Sequence, residues 1–158
     1  MPKKPIKTNV MRVLDAAGVK YNEYQYDNTC VTGTEVAALM GQPAERVFKT
    51  LVTAAKNGKN YVFMIPVAEE LDLKKAAKAV GEKAISMIKS KELLPLTGYI
   101  HGGCSPIGMK KQFPTVIHET ACTYETIFFS GGKVGYQVEL DPNELFKLIP
   151  ITSADLIV

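Results

Sequence analysis

The sequence predicts a compact α+β domain around a mixed, partly closed β-sheet of about seven strands. Short apolar runs typical of strands are interspersed with segments whose apolar residues recur at helical spacing. The helical segments are inserted among the strands without a regular βαβ order, which favours this fold class over a doubly wound sheet. The chain has 158 residues, of which 46% are hydrophobic. Because this is enough for one sizeable core and too little for two, we expect a single domain over residues 1–158.

The expected helices begin at residues that can cap a helix N-terminus. Thr8 can cap the first helix, and Thr32 with Glu35 has the spacing of a capping box. Asp141 followed by Pro142 marks the start of the last helix, because proline suits the first helical position. The predicted helices occupy residues 9–17, 33–40, 70–80, 90–94 and 142–149.

The expected strands have alternating or continuous apolar residues. The clearest signal is Asn57-Gly58 between two apolar runs, because an Asn-Gly turn is typical of a tight β-hairpin. Gly131 and Gly132 lie between the last two apolar runs and predict a second turn. The predicted strands occupy residues 21–27, 47–54, 61–67, 84–88, 99–101, 115–119, 126–130 and 134–140.

The basic residues are concentrated in the middle of the chain. The formal net charge of +3 is too small to identify a nucleic-acid-binding protein by itself. Between residues 74 and 111, however, eight lysines stand against two acids, Glu82 and Glu92. This excess fits either a solvated helix surface or a surface that faces phosphates, and the sequence leaves both readings open.

The cysteines and the hydropathy pattern favour the cytoplasm. Cys30, Cys104 and Cys122 are odd in number and have neither a CxxC nor a metal-ligand spacing, which fits a reducing compartment. No apolar stretch approaches the roughly 18 residues of a membrane span, and the basic N-terminal residues are not followed by the apolar segment of a secretion signal. We therefore expect a cytoplasmic protein without a membrane partner.

Lys49 is an isolated cation in the apolar run at residues 47–52. Removing water from an unpaired ammonium group costs several kcal/mol, so a core strand retains one only when an anion is close by. That anion can be a carboxylate of the protein, such as Glu139, or an oxygen of a bound ligand.

A glycine-rich loop, residues 102–108, is the second candidate for a binding site. Glycine allows backbone N–H groups to approach an oxygen-rich ligand closely, although Gly102, Gly103 and Pro106 are also compatible with a plain turn. Together with Lys49, the loop indicates a site for a nucleotide ester.

Five strings of residues resemble the YbaK/EbsC family in their order and spacing. They resemble its Cys-tRNA(Pro) deacylase branch more than they resemble the editing domains of prolyl-tRNA synthetases. The resemblance runs from about Val10 to the C-terminus. The strings are residues 48–52 (FKTLV), 73–78 (LKKAAK), 97–99 (TGY), 102–111 (GGCSPIGMKK) and 130–133 (SGGK).

The resemblance implies a free-standing trans-editing hydrolase with the family's editing-domain fold. Its substrate would be the ester between mischarged cysteine and the 3′-terminal ribose of proline tRNA, or of cysteine tRNA in some members. It implies tRNA as partner, a transient contact with prolyl-tRNA synthetase, and no metal or other cofactor.

The resemblance also assigns the site residues. Some relatives have aspartate at the position of Gln137, so this chain departs from them there and the role of that position stays open. The residues expected to be catalytic are Lys49, Gly102 and Gly103. The residues expected to bind substrate are Tyr26, Thr50, Ser105, Pro106, Ser130, Gly131 and Gln137.

The chemistry of an aminoacyl ester is compatible with these residues. We expect the backbone N–H groups of Gly102 and Gly103 to stabilise the oxyanion, and protonated Lys49 to bind substrate oxygens and not to act as a base. The resemblance points to the substrate's own thiol as nucleophile, so Cys104 is not expected to be catalytic. Two alternatives remain, a deacylase for Ala- or Ser-tRNA that uses water and a non-catalytic RNA-binding module. His101 and His118 are expected to be packing or surface residues.

Overall fold

The computed structural model describes residues 7–26 and 32–158, and within these ranges the chain forms five α-helices and eight β-strands. The helices are α1 (Asn9–Ala16), α2 (Gly33–Leu39), α3 (Leu73–Val80), α4 (Ser90–Thr97) and α5 (Pro142–Leu148). The strands are β1 (Asn22–Gln25), β2 (Phe48–Ala55), β3 (Asn60–Pro66), β4 (Ile85–Met87), β5 (Thr115–His118), β6 (Ile127–Ser130), β7 (Tyr136–Leu140) and β8 (Ile151–Ala154).

The strands form two sheets that meet at a parallel bridge. The first sheet has the order β1-β7-β6 and is antiparallel throughout. The second has the order β4-β2-β3-β5-β8, with antiparallel pairs among β4, β2 and β3 and parallel pairs from β3 through β5 to β8. Val47, immediately before β2, bridges Phe128 of β6 in parallel. The predicted α+β class with a mixed sheet and inserted helices is confirmed.

The predicted caps and the first hairpin turn are confirmed. Thr8 Oγ1 accepts a hydrogen bond from the N–H three residues on at 3.2 Å, and Thr32 Oγ1 does the same at 3.3 Å. Asp141 caps α5 through an N–H bond of 2.9 Å. The turn after β2 contains Asn57 and Gly58, and Gly58 adopts the left-handed φ of +83° that glycine tolerates.

The second sheet carries an apolar cluster on each of its faces. On one face, which we call the α1 face, Phe48 and Met64 pack with residues of α1, of α4 and of the segment 99–113. On the other face, which we call the α3 face, Phe63 packs against Ala76 and its neighbour in α3. Because alternate residues of a strand point to opposite faces, α3 and the segment that contains the glycine loop lie on opposite sides of this sheet.

Several predicted boundaries are wrong. Residues 99–101 are not a strand, because the Tyr99 N–H bonds Thr97 Oγ1 and the Tyr99 hydroxyl bonds the Ile107 carbonyl instead of a neighbouring strand. Helix α4 continues past Pro95 to Thr97, and α3 begins only at Leu73. Strand β8 was not predicted, since its apolar residues are too few to stand out. Strand β1 ends at Gln25, and residue 27 of the predicted strand lies outside the described residues.

Candidate functional site

Three residues form a row across the strands of the first sheet. The register pairs Ser130 of β6 with Gln137 of β7, and Gln137 with Tyr24 of β1. Because paired residues in a sheet project from the same face, Ser130, Gln137 and Tyr24 form one cross-strand row, although they are far apart in the sequence. Lys49 and Ser130 each lie two residues beyond the single parallel bridge between Val47 and Phe128, which places Lys49 near the β6 end of this row.

Lys49 is half-buried near this row and lacks the carboxylate partner that the sequence allowed. In the described part of the chain, no carboxylate oxygen lies within 4.0 Å of Lys49 Nζ. Glu139, the carboxylate suggested by the sequence, instead lies 3.4 Å from Arg46 and accepts hydrogen bonds from Thr126 and Tyr24. The alternative that Lys49 is a structural partner of Glu139 is therefore wrong, and its ammonium group can meet a ligand anion.

Arg46, Thr126 and Tyr24 hold Glu139 as a carboxylate. Burial opposes its ionisation, but hydrogen bonds from Thr126, Tyr24 and Asn22 outweigh burial and keep the pKa of Glu139 below its ordinary value. The network ties β1, β6 and β7 together beside the cross-strand row. Sequence reasoning missed it, because its members are separated by up to 117 positions and have no common motif.

Two buried polar atoms near Lys49 have no hydrogen-bond partner among the described residues. They are Gln137 Oε1, in the cross-strand row, and Thr50 Oγ1, beside Lys49 in β2. Thr50 alternates with Lys49 and lies on the α1 face with Phe48, so the two predicted residues project from opposite faces. A buried polar atom without a partner costs about 1–3 kcal/mol, and such atoms are rare in folded proteins. Gln137 Oε1 is therefore a candidate acceptor for a ligand at the cross-strand row, whereas Thr50 Oγ1 lies on the face of β2 opposite to Lys49.

The glycine loop packs against the turn between β6 and β7. A Cβ atom built on Gly103 would lie 3.0 Å from the backbone nitrogen of Val134, and one on Gly102 would lie 3.5 Å from Val134 Cγ2. On the other side of this turn, the Tyr26 N–H donates to the Gly135 carbonyl at 3.0 Å. The turn thus brings the loop and Tyr26 to the end of β6, where Ser130 completes the cross-strand row.

The structure changes the expected roles of three loop residues. The Gly103 N–H donates to the Ile100 carbonyl at 3.0 Å, so the prediction of a free Gly102–Gly103 donor pair is wrong for Gly103. Ser105 is fully buried, and its hydroxyl oxygen accepts from the Ile107 N–H at 3.4 Å, which supports the loop from inside. Pro106 is also buried. The Gly102 N–H has no partner among the described residues and remains the candidate donor.

Ser130 and Gly131 hold the turn and leave one hydroxyl donor available. Ser130 Oγ accepts from the Gly132 N–H at 3.1 Å, and the Gly131 N–H donates to the Tyr136 carbonyl at 2.9 Å. Accepting a bond leaves the Ser130 hydroxyl proton free to donate. Gly131 therefore has a structural part in the turn, whereas Ser130 can both hold the turn and contact a ligand.

Cys104 is a buried thiol, and the two histidines occupy one buried and one surface position. Burial raises the pKa of the Cys104 thiol to about 12, so it is protonated at neutral pH. His118 is buried and its Nδ1 accepts from the Leu156 N–H at 3.1 Å, whereas His101 is exposed. Across residues 7–26 and 32–158, no three His, Cys, Asp or Glu side chains come together as metal ligands, and no helix is long and apolar enough to cross a membrane.

Residues 27–148 match the model of a protein family described as the aminoacyl-tRNA editing domain. The chain is 46% identical over 144 residues to EbsC of Enterococcus faecalis, which is named as a candidate Cys-tRNA(Pro)/Cys-tRNA(Cys) deacylase, and the match covers 90% of this chain and 88% of EbsC. The chain belongs to the YbaK/EbsC family of aminoacyl-tRNA editing domains.

Solved structures share the fold of this family member over almost its whole length. A crystal structure described as a candidate trans-editing enzyme for prolyl tRNA synthetase superposes with a TM-score of 0.83 at 27% identity and covers 95% of both chains. Another, of the hypothetical protein APE2540, has a TM-score of 0.86 at 23% identity and covers 94% of this chain and 99% of its own. The second shows the fold alone. Of the predicted site residues, all but Tyr26 fall within the part of the chain that matches the editing domain.

Proposed function

We propose that this member of the editing-domain family is a trans-editing aminoacyl-tRNA deacylase that acts on Cys-tRNA(Pro). The observation that carries the proposal is the cross-strand row with Ser130 and the unpartnered Gln137, near whose end half-buried Lys49 follows the bridge of Val47 to Phe128. A hydroxyl donor and a buried acceptor with a cation close to them match the oxygens and the α-ammonium group of an aminoacyl ester. The identity of 46% to EbsC supports the same activity and substrate.

Each group of the site has a role that its chemistry allows. Lys49 binds oxygens of the terminal nucleotide or of the ester, since an ordinary lysine is protonated at neutral pH. The Gly102 N–H donates to the carbonyl oxygen as negative charge develops on it, a contact whose loss typically costs about 10² to 10³ in rate. Gln137 Oε1 accepts from the α-ammonium group, and Ser130 donates to the ribose or the ester.

The thiol of the substrate serves as nucleophile. Its sulfur attacks the carbonyl carbon of the same cysteinyl group, the bond to the ribose oxygen breaks, and that oxygen leaves as the 3′-terminal hydroxyl after taking a proton. Water then opens the cyclic thioester that results. An ordinary thiol has a pKa near 8.5 and is a few per cent ionised at neutral pH, whereas the buried Cys104 thiol, with a pKa of about 12, is not an alternative.

The partner that this activity requires is the acceptor end of tRNA. A transient complex with prolyl-tRNA synthetase is part of the proposal, since mischarged proline tRNA originates on that enzyme. The printed description of one structural relative, as a trans-editing enzyme for prolyl tRNA synthetase, supports it. The cytoplasm, where tRNA is charged, is the proposed location.

Deacylation of Cys-, Ser-, Ala- and Pro-tRNA(Pro), measured side by side, tests the proposal. We expect Cys-tRNA(Pro) to be hydrolysed more than about 100-fold faster than Ser-tRNA(Pro), because only the cysteine thiol can act as nucleophile. A pocket that sorts near-isosteres by shape or hydrogen bonding alone seldom exceeds a ratio of about 10². Cys-tRNA(Pro) with a methylated sulfur is the control and should resist hydrolysis. Equal turnover of the Cys and Ser esters would refute thiol assistance and leave a water-based deacylase. Binding of tRNA without hydrolysis of any ester would leave a non-catalytic module.

A further inference from the structure

Two exposed lysines flank the loop that carries Gly102. The Lys110 N–H donates to the Thr97 carbonyl at 3.0 Å and closes the base of the loop, and its side chain lies along Gly98, where a Cβ would be 3.4 Å from Lys110 Cγ. Lys133 lies in the turn against which the loop packs, since its Cα is 3.3 Å from a Cβ built on Gly103. The segment between these contacts, which includes Gly102, is therefore bounded by a lysine on each side.

Positive charge around the loop is not neutralised within the described part of the chain. Residues 83–118 contain five lysines and a single acid, Glu92, and Glu92 is used at the start of α4, where it accepts from the Lys89 N–H at 3.3 Å. Lys110, Lys111 and Lys133 are exposed, and none of them forms an ion pair with another residue of the described ranges. We call Lys110 and Lys133, which border the loop, the loop-flanking lysines. Their charge is available to an external anion.

Apolar side chains are exposed next to this positive charge. Ile100, two residues before Gly102, is 56% exposed, and Leu94 of α4 is 51% exposed. Exposed apolar groups among unpaired cations suit the single-stranded end of a nucleic acid, whose unstacked bases need contacts that paired bases do not. A protein partner with an acidic surface would use the charge but gives no reason for a position around the loop that approaches the ester.

The lysines of α3 provide an internal comparison. Lys74 and Lys78 are also exposed and without an ion pair among the described residues, but α3 lies on the α3 face of the second sheet. The loop and α4 pack on the α1 face. Lys75 is already committed, since its Nζ lies 2.9 Å from Asp155. The basic residues of the middle of the chain thus divide into two groups on opposite faces of the second sheet, and the group with Lys110 is the one on the side of the Gly102 loop.

We propose that the loop-flanking lysines contact the phosphates of the 3′-terminal strand of tRNA, with Ile100 against an unstacked base, and that the lysines of α3 do not. The inference rests on the proposed function, because it assumes that the ester is held at the Gly102 loop. It assigns the excess of lysines in the sequence to two roles, a phosphate-binding surface at the Gly102 loop and a solvated helix surface on α3.

Two double variants of equal charge test the assignment. K110Q/K133Q and K74Q/K78Q each lower the formal net charge from +3 by two and shorten the aliphatic part of two side chains equally. Lys111 is left in place because its Nζ lies 5.9 Å from the Phe113 ring centre, a contact that substitution would also remove. The readout is the dependence of kcat/KM for Cys-tRNA(Pro) on KCl concentration.

We expect K110Q/K133Q to raise KM and to leave kcat unchanged. The slope of log(kcat/KM) against log[KCl] should become shallower by about 1.4 to 1.8, because each of the two lost phosphate contacts contributes about 0.7 to 0.9 to that slope. K74Q/K78Q should have the slope of the wild type. An equal change in both variants would show general electrostatic attraction and overturn the assignment, and a larger change in K74Q/K78Q would place the tRNA on the α3 face.

A phosphate-free ester separates this inference from the proposed function. Wild-type turnover of 3′-O-cysteinyl adenosine shows that the site is active, and an unaltered salt slope in K110Q/K133Q would then refute the phosphate contacts alone. If wild-type protein hydrolyses neither ester, the proposed function fails. Fluorescence anisotropy with uncharged tRNA(Pro) then decides the surface, which is supported only if K110Q/K133Q weakens binding and K74Q/K78Q does not.

Discussion

Substitution of Gln137 by methionine should make the protein more stable and less active. Gln137 is 7% exposed, and its Oε1 has no hydrogen-bond partner among the described residues. Methionine has a similar length and removes this acceptor. The cost of a buried unpaired acceptor is about 1–3 kcal/mol, and at the lower limit its removal raises the free energy of unfolding by about 1 kcal/mol. For a domain of this size, that corresponds to an increase in Tm of about 2–4 °C.

The activity should change in the opposite direction. A hydrogen bond to a charged group contributes about 1.5–3 kcal/mol, so loss of the contact between Gln137 and the α-ammonium group lowers kcat/KM about 10- to 100-fold. Deacylation of Cys-tRNA(Pro) and thermal unfolding followed by circular dichroism give the two numbers.

Gln112 provides the matched control for Gln137→Met. It is half-buried, but its Nε2 donates to the Phe113 carbonyl at 3.3 Å. Gln112→Met removes a satisfied bond and should lower the free energy of unfolding by about 0.5–1.5 kcal/mol while activity is retained. A Gln137→Met variant that is destabilised as much as Gln112→Met would show that Oε1 has a structural partner, and the reasoning from the unpaired atom would be refuted.

Three further substitutions address the other groups of the site. Lys49→Met should lower kcat/KM by about 10² to 10³ with a Tm at least as high as that of the wild type, because it removes a half-buried cation without an ion pair among the described residues. Lys56→Met, in the exposed turn of the same hairpin, should change neither kcat/KM nor Tm, and an active Lys49→Met would remove Lys49 from the site. Cys104→Ala should retain most activity, because a thiol with a pKa of about 12 becomes a thiolate only as the pH rises towards that value. For the same reason native Cys104 should resist iodoacetamide at pH 8. Loss of activity in Cys104→Ala would establish the Cys104 thiol as the nucleophile. Gly102→Ala should fold, because the new Cβ has only an ordinary 3.5 Å contact and the φ of +85° costs alanine about 1–2 kcal/mol. It should lose activity, because the Cβ blocks the close approach of the substrate to the backbone. Wild-type turnover would exclude the Gly102 N–H as donor.

Local signals predicted those elements of the fold that depend on neighbouring residues. The caps at Thr8, Thr32 and Asp141 and the Asn57-Gly58 turn are interactions over two to four positions, and the sequence alone indicated them correctly. Strand β8 and the true course of residues 99–101 depend on distant partners. β8 pairs with β5, and Tyr99 is held by side-chain bonds to its own loop, and neither has a periodic signal.

Residue type and family resemblance predicted the members of the candidate site, but not their geometry. Lys49 was predicted as a site residue because burying an isolated cation in an apolar strand costs free energy. The structure gives it no carboxylate partner among the described residues. The sequence could not reveal that the Gly103 N–H is already bonded to the Ile100 carbonyl, or that Ser105 supports the loop from inside. Hydrogen-bond partners of backbone groups outside regular elements depend on the course of the whole loop.

The sequence by itself determined the α+β class, the family and the set of residues among which the site is found, because these follow from periodicity, capping and motifs read along the chain. Only the tertiary structure decided how those residues combine. The register of β6 with β7 brings Ser130 and Gln137 into one row, and the bridge of Val47 to Phe128 brings Lys49 near its end. The packing of α3 opposite the loop divides the lysines into two groups. The physical reason is that strand register and sheet face are set by contacts between residues far apart in the chain, which no local pattern encodes.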